Sequence, residues 1–327
     1  MDRTPLGRSG RTISGIGLGC VTFGREIDEK TSRNVMDYAL EQGITFFDTA
    51  EAYGGGQSRI GRKQSLGIED EREVTGESSS SERIIGDWMR DRNCRDEITL
   101  CTKVSTGAGP ENIKKALAAS LERLRTDHVE IYKIHSPDTK VPISESLSAL
   151  TDEVNAGRIG VIGGSNYSAN QIREALDASA SGGYPRFEIM QPPYSLALPD
   201  AEKDIFPLCD EEGVAVTPFS PLAAGFLAGK YTPNRSRIPR GTRFHISPSH
   251  ADIYFTERNF RVVARLKARA DEMGVPIVGL AMAWAMTHPA VTSVLVGARN
   301  TRHIDNAVQA YERGLDPALR KEMSAWG

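Results

Sequence analysis

Alternation is the feature that most narrows what this 327-residue chain can fold into. Short apolar runs at 16–19, 44–48, 97–103, 129–134, 159–163, 187–190, 214–218 and 293–297 read as strands. Most are too continuously apolar to leave one face in water. Helical patterns separate them at 30–42, 81–91, 111–124, 144–156, 169–178, 202–212, 257–273 and 277–287, and another helix begins near Thr301. Strands that never follow one another directly need crossover connections, which give a parallel sheet covered by helices. Eight such units are the count of an α/β fold of the (β/α)8 TIM-barrel type. A hairpin at 3–14, turning at Arg8-Ser9-Gly10, precedes the first of these strands and is suited to plug one end of the barrel. The rival, a doubly wound sheet, expects a G-x-G-x-x-G after the first strand, and there is none.

A barrel of this kind runs to about 250 residues or more as one unit, so residues 1–327 read as a single domain. A net charge of -3 with both signs interspersed excludes a nucleic-acid or anionic-membrane footprint and leaves a small molecule as the expected partner. The first residues, Met1 to Pro5, carry no apolar segment of the secretory kind. The longest apolar segment, Val275 to Met286, is too short to span a bilayer and should be a buried helix. Cys20, Cys94, Cys101 and Cys209 have neither C-x-x-C nor zinc spacing, which fits free thiols in a reducing cytoplasm. The six histidines offer no H-E-x-x-H, so no metal is expected.

In a parallel barrel the carboxyl ends of the strands converge on one face. Here they supply Asp48, Lys103, His135, Ser165 with Asn166, Gln191, Ser220 and Arg299. Singly, each has a plain structural use, since an Asp can cap a strand and a strand-end His can be a satisfied hydrogen bonder. Jointly they exceed what ordinary strand ends provide. The stretch Ile44 to Gly54 is the densest case: Asp48 closes an apolar run and Tyr53 follows on the next loop. Lys103, closing Cys101-Thr102-Lys103-Val104, is unfavourable to bury without a partner, and Asp48 is the obvious one.

A carboxylate, a phenol, an ammonium and an imidazole in one mouth suit proton donation to a carbonyl oxygen. A free tyrosine, with a pKa of about 10, is a poor acid near neutrality. A buried Lys103 ammonium is expected to lower that value, with Asp48 keeping the lysine charged and aimed. His135 is placed to polarise the same oxygen. No G-x-S-x-G and no Cys–His pairing points to a nucleophile instead. Carbonyl reduction needs a hydride source, which must be a cofactor. Two glycine-rich stretches do not supply its site: Gly56 to Lys63 misses P-loop spacing, and Gly157 to Gly164 misses dinucleotide spacing.

These motifs, in their order, resemble those of the aldo-keto reductases across nearly the whole chain. They comprise Leu6-Gly7-Arg8-Ser9-Gly10, Gly17 to Gly24, Phe47-Asp48-Thr49-Ala50, Tyr53-Gly54, Thr102-Lys103, and Ile134 to Asp138. They continue with Gly164-Ser165-Asn166, Phe219-Ser220-Pro221-Leu222, Gly229-Lys230-Tyr231 and Gly297-Ala298-Arg299. The chain is most similar to the branch with potassium-channel β-subunits and bacterial inositol-type dehydrogenases. The resemblance implies a catalytic tetrad of Asp48, Tyr53, Lys103 and His135, with Tyr53 the acid in reduction and the base in reverse. It implies that Ser165, Asn166 and Gln191 hold the nicotinamide carboxamide and that Phe219 stacks on the ring. Ser220, Leu222, Gly225 and Lys230 would line the pyrophosphate. Arg243 and Arg299 would lie near an adenosine 2′-phosphate, favouring NADP(H), with NAD(H) the alternative. Gly19, Cys20, Val21, Asp48, Pro221, Gly297, His303 and Asn306 complete the implied cofactor set.

The chain departs from that pattern in places. Cys20 replaces a usual Thr, and His303, Asn306 and Ala307 stand where Gln, Glu and Asn are usual, which weakens the implied adenine contacts. An insertion at about 55–80 runs well beyond the usual ~2–6 residues of a barrel loop. It reads either as a solvated insertion or as a cover for the mouth with Arg59, Arg62 or Lys63 near a polar substrate. A second long stretch, about 222–256, suits a flap over the cofactor. The sequence thus points to an NADPH-dependent reductase of an aldehyde, ketone or keto-sugar. A sugar or polyol dehydrogenase running the same chemistry in reverse and a cofactor-sensing regulatory subunit with slow turnover are the alternatives. A glycosidase is set aside because Asp48 and Glu51 are too close in sequence to flank a glycosidic bond.

Overall fold

The computed structural model describes residues 1–55 and 74–326. Arg59, Arg62, Lys63 and the stretch from Gly56 to Lys63 lie outside them. An antiparallel hairpin, β1 (Arg3–Pro5) with β2 (Thr12–Ser14), comes first. Its turn is closed by Leu6 N donating to Arg11 O at 2.8 Å. Eight parallel strands follow: β3 (Ile16–Gly19), β4 (Phe46–Asp48), β5 (Thr99–Val104), β6 (Val129–Ile134), β7 (Ile159–Ser165), β8 (Phe187–Gln191), β9 (Ala215–Val216) and β10 (Val294–Gly297). Their spatial order is β10-β3-β4-β5-β6-β7-β8-β9. The sheet curls until its ends meet, with Thr292 N donating to Val216 O and Leu295 N to Pro218 O, both at 2.9 Å. This is the (β/α)8 barrel read from the alternation.

Side chains alternate inward and outward along each strand, so the barrel fills in layers. One inner layer is apolar: Phe46, Cys101, Ile131, Val161, Ile189, Ala215 and Leu295, with Leu6 and Ile13 of the hairpin packed against it. Two residues on, the same faces carry Asp48, Lys103, Lys133, Gly163, Gln191, Thr217 and Gly297. The apolar layer is therefore the floor of a polar one. Gly163 is needed there, because a Cβ would run into the Ile189 carbonyl where the β7–β8 register shifts. The outward faces pack under the helices, which are amphipathic at helical spacing. Ile277–Met286, the long apolar run, is a helix buried from Gly279 to Ala285. Among the described residues no helix is long and apolar enough to cross a membrane.

Several elements differ from their sequence reading for identifiable reasons. The strand expected at 44–48 is regular only over Phe46–Asp48, because Thr45 N and Phe46 N both donate to Ser14 Oγ at 3.1 Å instead of to a neighbouring strand. The strand expected at 214–218 shortens to Ala215–Val216, since Pro218 has no N–H for the ladder. The helix expected at 202–212 begins later, as Ile205–Glu212, with Asp204 Oδ1 accepting from Ile205 N at 2.7 Å. Residues 229–256 contain a 3-10 turn at Arg235–Arg237 and two short α-helices, Arg243–Ile246 and Ser249–Tyr254. They are held by an aromatic cluster in which Tyr231 and Phe244 lie 4.8 Å apart and Phe226 and Phe260 5.1 Å apart, centroid to centroid. A final helix, Pro317–Ser324, also follows, docked by Arg320 onto Glu202 at 2.7 Å and Tyr194 Oη at 2.8 Å.

Candidate active site

The polar layer ends at the carboxyl mouth of the barrel, and its centre is Asp48. The side chain is buried at the last position of β4. Lys103 Nζ donates to Asp48 Oδ1 at 2.5 Å and to Thr49 O at 2.6 Å. Lys133 Nζ donates to Asp48 Oδ2 at 3.2 Å, to Gln191 Oε1 at 2.9 Å and to Thr217 Oγ1 at 3.4 Å. Both lysines are fully buried. Burial alone would raise the Asp48 carboxyl, but the Lys103 and Lys133 ammoniums outweigh it and hold it down to about 2. Burial would likewise lower Lys103, yet Asp48 holds its ammonium above the usual lysine range. The lysine is therefore charged and held in one orientation.

Tyr53 follows on the β4 loop, its N–H on Ala50 O at 3.0 Å and its carbonyl accepting from Ser81 N at 3.3 Å. Its ring centroid lies 4.8 Å from Lys103 Nζ and 5.5 Å from the His135 ring, which meets it edge-on. Burial pushes the Tyr53 phenol above its ordinary value, and Lys103 pulls it back only in part. The net direction is opposite to that expected from Lys103 alone, because desolvation is the larger effect. The phenol is therefore protonated at neutral pH and available as a donor. His135, just past β6, is pushed down to about 3, by burial first and the Lys103 ammonium second, so it is neutral.

Around this centre the loops are tied by Glu51, Ser105 and Asn166. Glu51 Oε1 accepts from Ser105 N at 2.5 Å, Thr106 N at 2.8 Å and Thr106 Oγ1 at 2.9 Å. Ser105 Oγ lies 2.6 Å from His135 Nδ1. Asn166, in the left-handed region at φ 62°, sends Nδ2 to His135 O at 2.9 Å and to Ser165 Oγ at 3.2 Å. Ser165 Oγ donates to Gln191 O at 2.8 Å. Cys20 is buried, donates to Leu18 O at 3.4 Å, and has its thiol raised well above the ordinary value by burial, so it is inert.

The remaining residues of interest line one side of the mouth. Phe219, half-buried over the inner apolar layer, is anchored by Phe219 N to Pro192 O and Tyr194 N to Phe219 O, both at 3.1 Å. After it the chain turns through a run of left-handed residues: Ser220 at φ 60°, Ala223 at 51°, Ala224 at 55° and Gly225 at 88°. Three of these are not glycine, a backbone arrangement of about 1–3 kcal/mol per residue that recurs in ligand-gripping loops. Pro221 is buried and Leu222 half-buried within it. Gly19 and Gly297 stand side by side in the β3–β10 register, leaving that wall without side chains, and Val21 follows half-buried. Beyond them, Lys230 is lowered by burial and then by Arg299. His303 is lowered by burial and then by Arg299, Arg302 and Lys230, which marks these four as one basic cluster. His303 Nδ1 accepts from Arg299 N at 3.3 Å, and Asn306 lies half-buried one turn later. Arg243 lies on the short helix Arg243–Ile246, with Nε 3.4 Å from His250 Nδ1. Among the described residues no group of three or more His, Cys, Asp or Glu side chains could hold a metal ion.

The carboxyl mouth of a parallel (β/α)8 barrel thus holds a buried carboxylate–lysine pair beside a phenol and a neutral imidazole. The chain belongs to the aldo/keto reductase family, whose model matches residues 15–325. It is 30% identical to a protein of Bacillus subtilis named uncharacterized oxidoreductase YrpG, over 99% of this chain and 95% of that one. It is 32% identical to a probable voltage-gated potassium channel subunit beta of Arabidopsis thaliana, over 95% and 92%. It is 28% identical to norsolorinic acid reductase B of Dothistroma septosporum, over 96% and 78%.

Proposed function

We propose that this oxidoreductase reduces a carbonyl group, in an aldehyde, ketone or keto-sugar, at the mouth centred on Asp48, with Tyr53 as the general acid and NADPH as cofactor. The observation that carries the reading is the buried Asp48–Lys103 pair under the Tyr53 ring. A fully buried ammonium held by one carboxylate is unfavourable as packing alone and useful beside a phenol that must release a proton. Tyr53 donates its proton to the carbonyl oxygen as negative charge develops there. Lys103 stabilises the resulting phenolate, and Asp48 keeps Lys103 in place. His135, neutral, offers an N–H to the same oxygen. In the reverse direction the phenolate takes the proton back.

A nicotinamide cofactor, when bound, would supply the hydride. The residues present fit one. The glycine-lined wall at Gly19 and Gly297 leaves room, Ser165, Asn166 and Gln191 offer amide and hydroxyl groups at other strand ends of the same mouth, and Phe219 offers a ring face. The left-handed turn from Ser220 to Gly225 suits a pyrophosphate, because such turns direct backbone N–H groups at anions. Lys230, Arg299, Arg302 and His303 gather positive charge where a 2′-phosphate would need it. Residues 1–327 would then act as one catalytic domain, with 222–256 as its cofactor flap, in the cytoplasm.

Titrating the protein with NADPH and NADH by nicotinamide fluorescence tests this reading. It requires tight binding with a preference for NADPH; binding of neither would overturn it.

A further inference from the structure

Lys133 is buried beside Asp48 although Asp48 already has a partner. Lys103 occupies Oδ1 at 2.5 Å, and Lys133 adds a second ammonium on Oδ2 at 3.2 Å. Two buried ammoniums share one carboxylate, and beyond it Lys133 Nζ has neutral partners: Gln191 Oε1, Thr217 Oγ1 and the Phe46 ring at 5.6 Å. An aliphatic side chain would fill the same space without desolvating a charge. Packing does not account for Lys133.

Its shortest hydrogen bond does. Lys133 Nζ lies 2.9 Å from Gln191 Oε1. A lysine can only donate, so the Gln191 amide must turn its oxygen to Lys133. The amide nitrogen is then directed to the other side, where it lies 3.4 Å from Asp48 Oδ1. An apolar residue at 133 would leave the amide with only the long 3.4 Å contact from Nε2 to Asp48 Oδ1 among its described side-chain partners, a weaker hold on its orientation. The backbone carbonyl of Gln191 is fixed independently by Ser165 Oγ. The side-chain orientation rests on the 2.9 Å bond from Lys133, with the 3.4 Å contact to Asp48 in support.

We propose that Lys133 is a positioning residue of the nicotinamide subsite, locking the Gln191 amide in one orientation so that a cofactor carboxamide meets a fixed donor–acceptor pattern. This rests on the reading of Gln191 as a cofactor contact. Lys133 acts through Gln191 and touches neither cofactor nor substrate.

A double-mutant cycle tests it. NADPH affinity is measured by fluorescence for the wild type, Lys133→Met, Gln191→Met and the double variant, with circular dichroism and melting temperature as controls. Loss of one hydrogen-bonding pattern is expected to weaken NADPH about fivefold to tenfold in each single variant. The double variant should bind no more than about threefold more weakly than Gln191→Met, because both changes remove one interaction. If Lys133→Met does not fold, Lys133→Gln carries the cycle. An amide that both donates and accepts no longer orders Gln191, and the same non-additive loss is expected. Unchanged affinity in a folded Lys133 variant, or losses that multiply in the double variant, would overturn the inference while leaving the cofactor reading intact. Failure of the wild type to bind either nucleotide would overturn the cofactor reading and the inference with it.

Discussion

Ser105 Oγ lies 2.6 Å from His135 Nδ1, and the Ser105 backbone is itself held by Glu51 Oε1 at 2.5 Å. A neutral imidazole carries one proton, and the partner of one nitrogen decides which. Ser105 thereby fixes the ring and leaves Nε2 for the mouth. Ser105→Ala should lower kcat by about fivefold to tenfold, the equivalent of about 1 kcal/mol, without moving the melting temperature. Ser105→Thr, which keeps the hydroxyl, should restore it. An unchanged kcat in the alanine variant would remove Ser105 from the account.

The acid side of the pH profile follows from two depressed groups. His135 is held down to about 3 against an ordinary 6.5, so it takes up no proton near neutrality. No ionisation from this histidine should appear in kcat/KM between about pH 5 and 8. The unfolded chain does take up that proton, so stability should fall as pH drops from about 6.5 towards 3. Asp48 acts in the same sense further down: its contribution is present above 3.8 and is lost as pH falls towards 2. Urea unfolding at a series of pH values measures both, and a stability that rises on acidification would contradict them.

Removing the shared carboxylate should be severe. Asp48→Asn leaves Lys103 and Lys133 buried without a counter-ion, and breaking such a pair is destabilising by about 3–5 kcal/mol. Denaturant unfolding at neutral pH gives the value directly. A loss below about 1 kcal/mol would mean the two ammoniums are relieved in some other way.

Packing at the barrel floor gives a test independent of the chemistry. A Cβ at Gly17 would lie 2.5 Å from Leu295 Cδ2 and 2.6 Å from Phe46 Cδ1. Gly17→Ala should therefore destabilise by about 1–3 kcal/mol through overpacking. An alanine variant as stable as the wild type would show that the floor can relax.

What was legible in the sequence was whatever has a local period or a local break. The eight strands and the hairpin could be read because apolar runs and crossovers alternate in the chain itself. The short β9 and the displaced start of β4 could not, since they depend on Pro218 at the barrel seam and on Ser14 of the hairpin. The strand-end residues Asp48, Lys103 and His135 stood out as polar groups closing apolar runs. Lys133 did not, because it sits inside the run Ile131-Tyr132-Lys133-Ile134 and closes no strand. The available signal was its period: it stands two residues before His135 and thus faces the same interior. The direction of the Tyr53 shift was also out of reach, as it depends on how much solvent the surrounding loops exclude. In 229–256 the proline and arginine content concealed aromatic residues that meet only in the fold.

The most direct measurement is cofactor oxidation by the wild type and by Tyr53→Phe, with NADPH and a panel of aldehydes and ketones. Loss of the acid should reduce kcat by about 10²–10⁴-fold, with NADPH affinity unchanged. A Tyr53→Phe enzyme that turns over any of these substrates at the wild-type rate would contradict the role assigned to the Asp48–Lys103–Tyr53 cluster.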